Sequence, residues 1–244
     1  MTEPRTKKTG AAGVKATHNF FEAIKQGNLE EVQRLLASTP RLIHKKENDL
    51  SPIMVAAYNQ KPEIADFLAE KAGKLAIYES AVTGKTRQIT LQLARDPLLV
   101  NTYSDDGYQP LSLACIFGHY EAAEYLIKAG AAINSPSRNA LNATPLQSAV
   151  AAKHDRVVNL LLDHDADPNV RDQGGYTPLH IAAQNGDSQV IRILLFNGAN
   201  LNIRSLDGKL PIDMAFEAGH KEAAGLLKEG ITRRFRVRHP RLDI

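Results

Sequence analysis

Three stretches of the chain carry residue types able to do chemistry. Residues 79–86, "ESAVTGKT", end in Gly84-Lys85-Thr86, the close of a phosphate-binding loop. Such a loop needs a second glycine five residues before Gly84, so that the backbone turns tightly enough to aim its N–H groups at phosphate oxygens. Glu79 stands there instead, and its carboxylate would repel the phosphates. Residues 163–167, "DHDAD", gather oxygen and imidazole donors of the kind that hold metal ions. Cys115 sits between Ala114 and Ile116 in an apolar stretch, which points to a buried thiol rather than a nucleophile. No Ser, His and Asp set and no pair of carboxylates stands apart from these.

The elements that must position these residues have a composition to match. With 43% hydrophobic and 23% charged residues over 244 positions, the chain can bury a sizeable core. No apolar run approaches the roughly 18 residues of a membrane helix, and residues 1–17 lack the apolar centre of a secretory signal, so a soluble, cytoplasmic protein is expected. The net charge of +3 is uneven. Residues 1–17 carry Arg5, Lys7, Lys8 and Lys15 against Glu3, and residues 231–244 carry Arg233, Arg234, Arg236, Arg238 and Arg241 against Asp243. The body between them, 18–230, is therefore mildly acidic, and two basic, frayed tails flank it.

Prolines act as rulers for an internal repeat. Pro110, Pro145, Pro178 and Pro211 open similar stretches, and eight residues after each comes Gly118, Lys153, Gly186 or Gly219. The same ruler places Pro52 opposite Gln60, Asn19 opposite Gly27 and Ala76 opposite Gly84, giving seven repeats anchored near 19, 52, 76, 110, 145, 178 and 211. In "QGGYTPLHIAAQNGDSQVIRILLFNGANLN", residues 173–202, Thr177 and Pro178 predict a helix start and Gly186 its end. Val190, Ile191, Leu194 and Leu195 then recur at helical spacing, so a second helix carries one apolar stripe up to Asn197-Gly198. Neither helix is long enough to stand alone, and each stripe is buried only against the next repeat.

Thr177-Pro178-Leu179-His180, the Ala182-Ala183 pair, the Gly186 turn, the leucine run and "NGANLN" resemble the ankyrin repeat over roughly residues 18–230. The resemblance implies an all-α repeat fold: an ankyrin-type solenoid of helix-turn-helix units with projecting β-hairpin fingers. Ser112, Gln147 and Asp213 depart from it where the family has histidine, Lys153 replaces the turn glycine, and Asp165 a C-terminal glycine. Residues 20–43 and 77–100 align without gaps, with Pro40 on Pro97. From Pro52 to Ala76 the spacing is too short for a finger, which predicts direct passage between helices near Lys71 to Lys74. Two extra residues around 134–142 predict a longer or kinked finger there.

On this ruler Glu79 lies inside a first helix and Gly84 is the turn after it, which removes the nucleotide reading. "DHDAD" falls where a second helix ends and a finger begins, and the histidines fall on framework positions in different repeats. No cofactor, no metal and no catalytic residue is expected.

The resemblance further implies noncatalytic protein–protein interaction through a concave face of finger tips and first-helix ends. The finger positions are Leu50, Tyr108, Leu141, Tyr176, Leu206 and Lys209, and those on the helices include Tyr58, Asn59, Ile116, Phe117, Gln184, Asn185, Glu217 and Ala218. Tyr58, Tyr108, Ile116, Phe117 and Tyr176 make the most prominent apolar group, with inward packing of Ile116 and Phe117 as the alternative. The expected partner is an unidentified protein, with no membrane and no small-molecule substrate. An alternative is a regulator or scaffold that engages an acidic partner or nucleic acid through the arginines of the C-terminal tail.

Overall fold

The computed structural model describes the backbone of residues 8–238 and the side chains of residues 13–230. Within it, helices alternate in pairs: α1 (Lys8–Gln26) with α2 (Leu29–Ser38), α3 (Pro52–Tyr58) with α4 (Pro62–Ala72), and α5 (Ile77–Val82) with α6 (Thr86–Arg95). Four further pairs follow, α7 (Pro110–Ile116) with α8 (Tyr120–Lys128), α9 (Pro145–Ala151) with α10 (Asp155–Asp163), α11 (Pro178–Asn185) with α12 (Ser188–Phe196), and α13 (Pro211–Glu217) with α14 (Lys221–Arg238). The chain divides into two compact bodies, Met1–Ile89 and Thr90–Ile244, with the division inside α6. In the first body α1, α3 and α5 pack in sequence; in the second, α7, α9, α11 and α13 do, and α2, α4, α8, α10, α12 and α14 lie against the first helices of their own repeats.

A single backbone requirement recurs seven times and explains the ruler. The residue that ends each first helix takes a left-handed conformation: Gly27, Gln60, Gly84, Gly118, Lys153, Gly186 and Gly219 have φ between +57° and +80°. Glycine adopts this without cost, whereas Gln60 and Lys153 hold it at about 1–2 kcal/mol. Asp165 does the same at +65° where Gly130 and Gly198 close the flanking second helices. At Gly118 and Gly186 glycine is also required by contact, since a Cβ would lie 2.6 Å from the His154 ring and 2.5 Å from that of His220.

Prolines set the other end of five of the seven first helices. Pro52, Pro110, Pro145, Pro178 and Pro211 all sit in the first turn, where the missing N–H costs nothing. The core follows the predicted stripe: Val190, Ile191 and Leu194 are fully buried in α12, as are Val157, Val158 and Leu161 in α10. Leu195 is only half-buried. Each such leucine contributes about 1.5–3 kcal/mol by burial, which short helices cannot recover alone.

Three local features follow the spacing. Only Gly73, Lys74, Leu75 and Ala76 separate α4 from α5, so no finger projects there. Pro40 and Pro97 each open a 3-10 turn, Pro40–His44 and Pro97–Asn101. Most fingers of the second body close from residue i to i+4, Ser104 N–H to Tyr108 O, Asp172 to Tyr176 and Ser205 to Lys209; the finger with two extra residues closes from Ser137 to Ala143.

Two expectations are corrected. The fingers are closed turns and not β-hairpins: among the described residues the only bridge is Glu47–Leu50, across Asn48 and Asp49 at positive φ. Each finger is too short for a ladder, and single lateral bonds such as Arg138 N–H to Gly107 O join neighbours. The termini are also less simple than two tails. α1 starts at Lys8, ahead of residue 18, and α14 continues to Arg238. Alanines at 11, 12 and 16 favour that extension of α1. The side chains of Arg233, Arg234, Arg236 and Arg238, and all of Arg241, lie outside the described residues.

Candidate protein-binding surface

Residues that resembled reactive groups are held in structural roles. Glu79 Oε2 accepts the Ala76 N–H at 2.7 Å, an N-terminal cap that satisfies an otherwise open donor of α5. Lys85 Nζ lies 2.5 Å from Asp66 Oδ1, and Gly84 is the turn before α6. The Cys115 thiol is fully buried and its pKa is pushed far up by loss of solvent. Among the described residues no three His, Cys, Asp or Glu side chains converge as a metal site.

Histidine roles explain the substitutions in the repeat motif. His180 is buried, its Nδ1 accepts the Thr177 N–H at 3.1 Å, and its Nε2 faces Lys209 O at 3.0 Å. Since Nδ1 accepts, Nε2 carries the proton and donates to the next finger. Gln147 reproduces both bonds: Oε1 accepts Thr144 N–H at 2.9 Å and Nε2 donates to Tyr176 O at 2.9 Å. Asp213 keeps only the first, accepting Leu210 N–H at 2.8 Å. Ser112 reaches neither, and its buried Oγ has no hydrogen-bond partner among the described residues.

Asparagines add a second set of ties that the sequence reading missed. Asn101 Oδ1 accepts Ala132 N–H at 2.8 Å while its Nδ2 donates to Gly130 O at 3.2 Å. Asn134 bonds Asp167 N and Asp165 O in the same way, and Asn169 bonds Asn200 N and Gly198 O. The signal was present, because these asparagines follow the proline spacing one repeat after another.

Against this frame the expected surface residues separate. Tyr58 and Asn59 belong to the first body; Tyr58 is half-buried, and Asn59 Nδ2 donates to Val55 O at 2.8 Å. The others lie in the second body. Asn185 is committed to the frame, donating to Val150 O at 3.2 Å, and Tyr176 sets its ring edge-on to His180 at 5.8 Å. Lys209 Nζ is 2.6 Å from Glu217, which raises its pKa. Ile116, Phe117 and Tyr108 are half-buried, between the two alternatives. Gln184 is exposed at the end of α11.

Two large apolar side chains are exposed on the finger tips of this face. Leu141 is 60% exposed and Leu206 is 74% exposed. Backbone bonds fix both: Gln173 N–H donates to Leu141 O at 3.3 Å, and Leu206 N–H donates to Gly174 O at 2.9 Å. The middle finger presents Gly174-Gly175 between them, and a Cβ on Gly175 would come within 2.9 Å of Leu206 N. The outcome is a rigid ridge with apolar points at Leu141 and Leu206, flanked by Tyr108, Tyr176 and Lys209. Such an arrangement can bury side chains of another protein; it presents no convergent acid, base or nucleophile.

Comparison with known proteins agrees with the geometry. Ankyrin repeats (3 copies) match at residues 20–137 and 77–172, and ankyrin repeats (many copies) match at 161–215. The chain belongs to the ankyrin repeat family. Similar proteins include the Target of rapamycin complex 2 subunit AVO2 of Saccharomyces cerevisiae, 27% identical over 171 residues, covering 64% of this chain and 40% of that one. The ankyrin repeat and KH domain-containing protein mask of Drosophila melanogaster is 42% identical over 66 residues, covering 27% of this chain and 2% of its own length. Human Rabankyrin-5 is 37% identical over 73 residues, 30% of this chain and 6% of the relative. This ankyrin chain thus spans 40% or less of the relatives it matches.

Proposed function

We propose that this protein is a noncatalytic ankyrin module that holds a partner protein on the finger ridge and first-helix ends of its second body. The observation that carries the reading is the pair Leu141 and Leu206, exposed yet fixed through backbone bonds to the finger between them. Exposed leucines on mobile loops would lose ordering entropy on binding, whereas these are already held in place. Family membership supports a binding role, and AVO2 is by its name a subunit of a complex. The partner here is a protein with an apolar patch able to span adjacent fingers.

The test is affinity purification from the native cell with the full chain, compared with Leu141→Asp/Leu206→Asp. Both side chains are exposed, so the variant should fold with an unchanged melting temperature and lose its partner. Retention of the same partner by the double variant would remove the ridge from the site.

A further inference from the structure

The chain contains five Ser-Pro or Thr-Pro pairs, led by Thr39, Ser51, Ser135, Thr144 and Thr177. In four of them the proline opens a helix: Pro40 the 3-10 turn, Pro52 α3, Pro145 α9 and Pro178 α11. The residue before the proline is then built into the helix start. Ser51 Oγ accepts Met54 N–H at 3.4 Å, Thr144 Oγ1 accepts Gln147 N–H at 3.4 Å, and Thr177 Oγ1 lies 2.8 Å from His180 Nδ1. Thr39 closes α2, with its N–H on Leu35 O at 2.9 Å.

Ser135 is the exception. Neither it nor Pro136 nor Ser137 lies in a helix, and a proline at 136 disfavours helical backbone at Ser135. Ser135 is half-buried, with Asn134 and Pro136 exposed on either side, in the finger that two extra residues lengthen. Its Oγ lies 3.1 Å from the Tyr103 hydroxyl, which also reaches Pro136 O at 3.3 Å. The Arg138 guanidinium lies over the face of the same ring, 3.9 Å from its centroid. Arg138 is exposed and has no ion pair among the described residues. One tyrosine thus holds a serine hydroxyl at its OH and an unmatched cation on its face. Residues 129–144, the whole connection from α8 to α9, contain no acid, and Arg138 is their only charge.

This combination suits phosphoryl transfer. The accepting hydroxyl must arrive on a stretch of chain that can enter a kinase cleft, and a residue that caps a helix is withheld from it. The product brings nearly two negative charges and three acceptor oxygens, which a guanidinium meets with paired N–H donors. In an acid-free connection those oxygens face a single cation and the Tyr103 O–H.

We propose that Ser135 is a phosphorylation site, modified by a proline-directed protein kinase, and that Arg138 and Tyr103 hold the phosphate. Ser135 Oγ attacks the γ-phosphorus of a nucleoside triphosphate, the bond to the departing nucleoside diphosphate breaks, and the hydroxyl proton passes to the catalytic carboxylate of the kinase. The site is separate from the exposed leucines and stands whether or not the ridge holds a partner.

The experiment treats the full chain with a purified proline-directed serine kinase and ATP, and maps the phosphate by mass spectrometry over time. Ser135 should be modified at least about tenfold faster than Thr39, Ser51, Thr144 or Thr177, and about tenfold slower in Pro136→Ala. Melting temperature checks that the variant folds. Heteronuclear NMR of the phosphorylated chain should show the Arg138 Nε–H resonance moved downfield from its place in the unmodified chain. The proposal is overturned if Ser135 stays unmodified, or if any of the helix-capping sites is modified as fast. An Arg138 Nε–H resonance that does not move on phosphorylation overturns the phosphate-holding role.

Discussion

His180 Nε2 lies 3.0 Å from the carbonyl oxygen of Lys209, a bond that ties the first helix of one repeat to the finger of the next. It needs a neutral ring that accepts at Nδ1 and donates at Nε2, and burial holds the imidazole pKa below its ordinary 6.5. The unfolded chain therefore takes up the proton first as pH falls. Stability from this site is complete above about pH 6.5, declines below it, and levels off under the lowered folded pKa. His180→Gln should keep both bonds, as Gln147 does, and flatten that part of the pH profile in chemical denaturation. His180→Ala leaves a buried Thr177 donor and should cost about 1–3 kcal/mol.

Ser112 offers the opposite case. Its buried hydroxyl has no partner among the described residues, so Ser112→Ala should be neutral or stabilising by up to about 1 kcal/mol. Denaturant titration at constant m-value measures this, and a loss above 1 kcal/mol would show that the hydroxyl is satisfied.

The turn positions make a prediction about backbone strain. Gln60 and Lys153 occupy φ values of +57° and +61° that glycine takes freely elsewhere in the array. Gln60→Gly should raise stability by about 0.5–1 kcal/mol, the relief of strain exceeding the added freedom of the unfolded chain. Lys153→Gly should gain less, because Lys153 Nζ donates to Asn185 O at 3.4 Å. Equal or lower melting temperature for Gln60→Gly would contradict this.

Cys115 reports on opening. With no exposed surface and a raised pKa, it should react with a thiol reagent only as fast as the second body unfolds locally or globally. Labelling that accelerates with urea in step with unfolding is the expected result; fast labelling in buffer would contradict burial.

Most of the fold was legible because backbone geometry dictates it. A left-handed residue must follow each first helix and a proline can open it, so Gly84 and Pro110 read directly as structure. The missing finger at Gly73–Ala76 and the long one at Ser137–Ala143 were a matter of counting residues. The asparagine ties escaped because Asn101, Asn134 and Asn169 act across repeats, and a local reading sees only a polar finger residue. The site was less legible for a related reason. Tyr176 and Asn185 look like surface residues within their own repeats, yet Gln147 of the preceding repeat donates to Tyr176 O and Asn185 donates to Val150 O of the preceding first helix. Leu206 was named at a tip, but its weight over Ile116 and Phe117 depends on exposures that spacing does not give.

Partner retention by paired surface variants tests the central claim most directly. Phe196, 91% exposed on α12, provides the control, since it lies on a second helix and not on a finger tip or a first helix. Quantitative affinity purification of parent, Leu141→Asp/Leu206→Asp and Phe196→Ser from the native cell should show a partner held by the first and third and lost from the second. A partner held equally by the finger variant, or lost from Phe196→Ser alone, would contradict binding through the ridge.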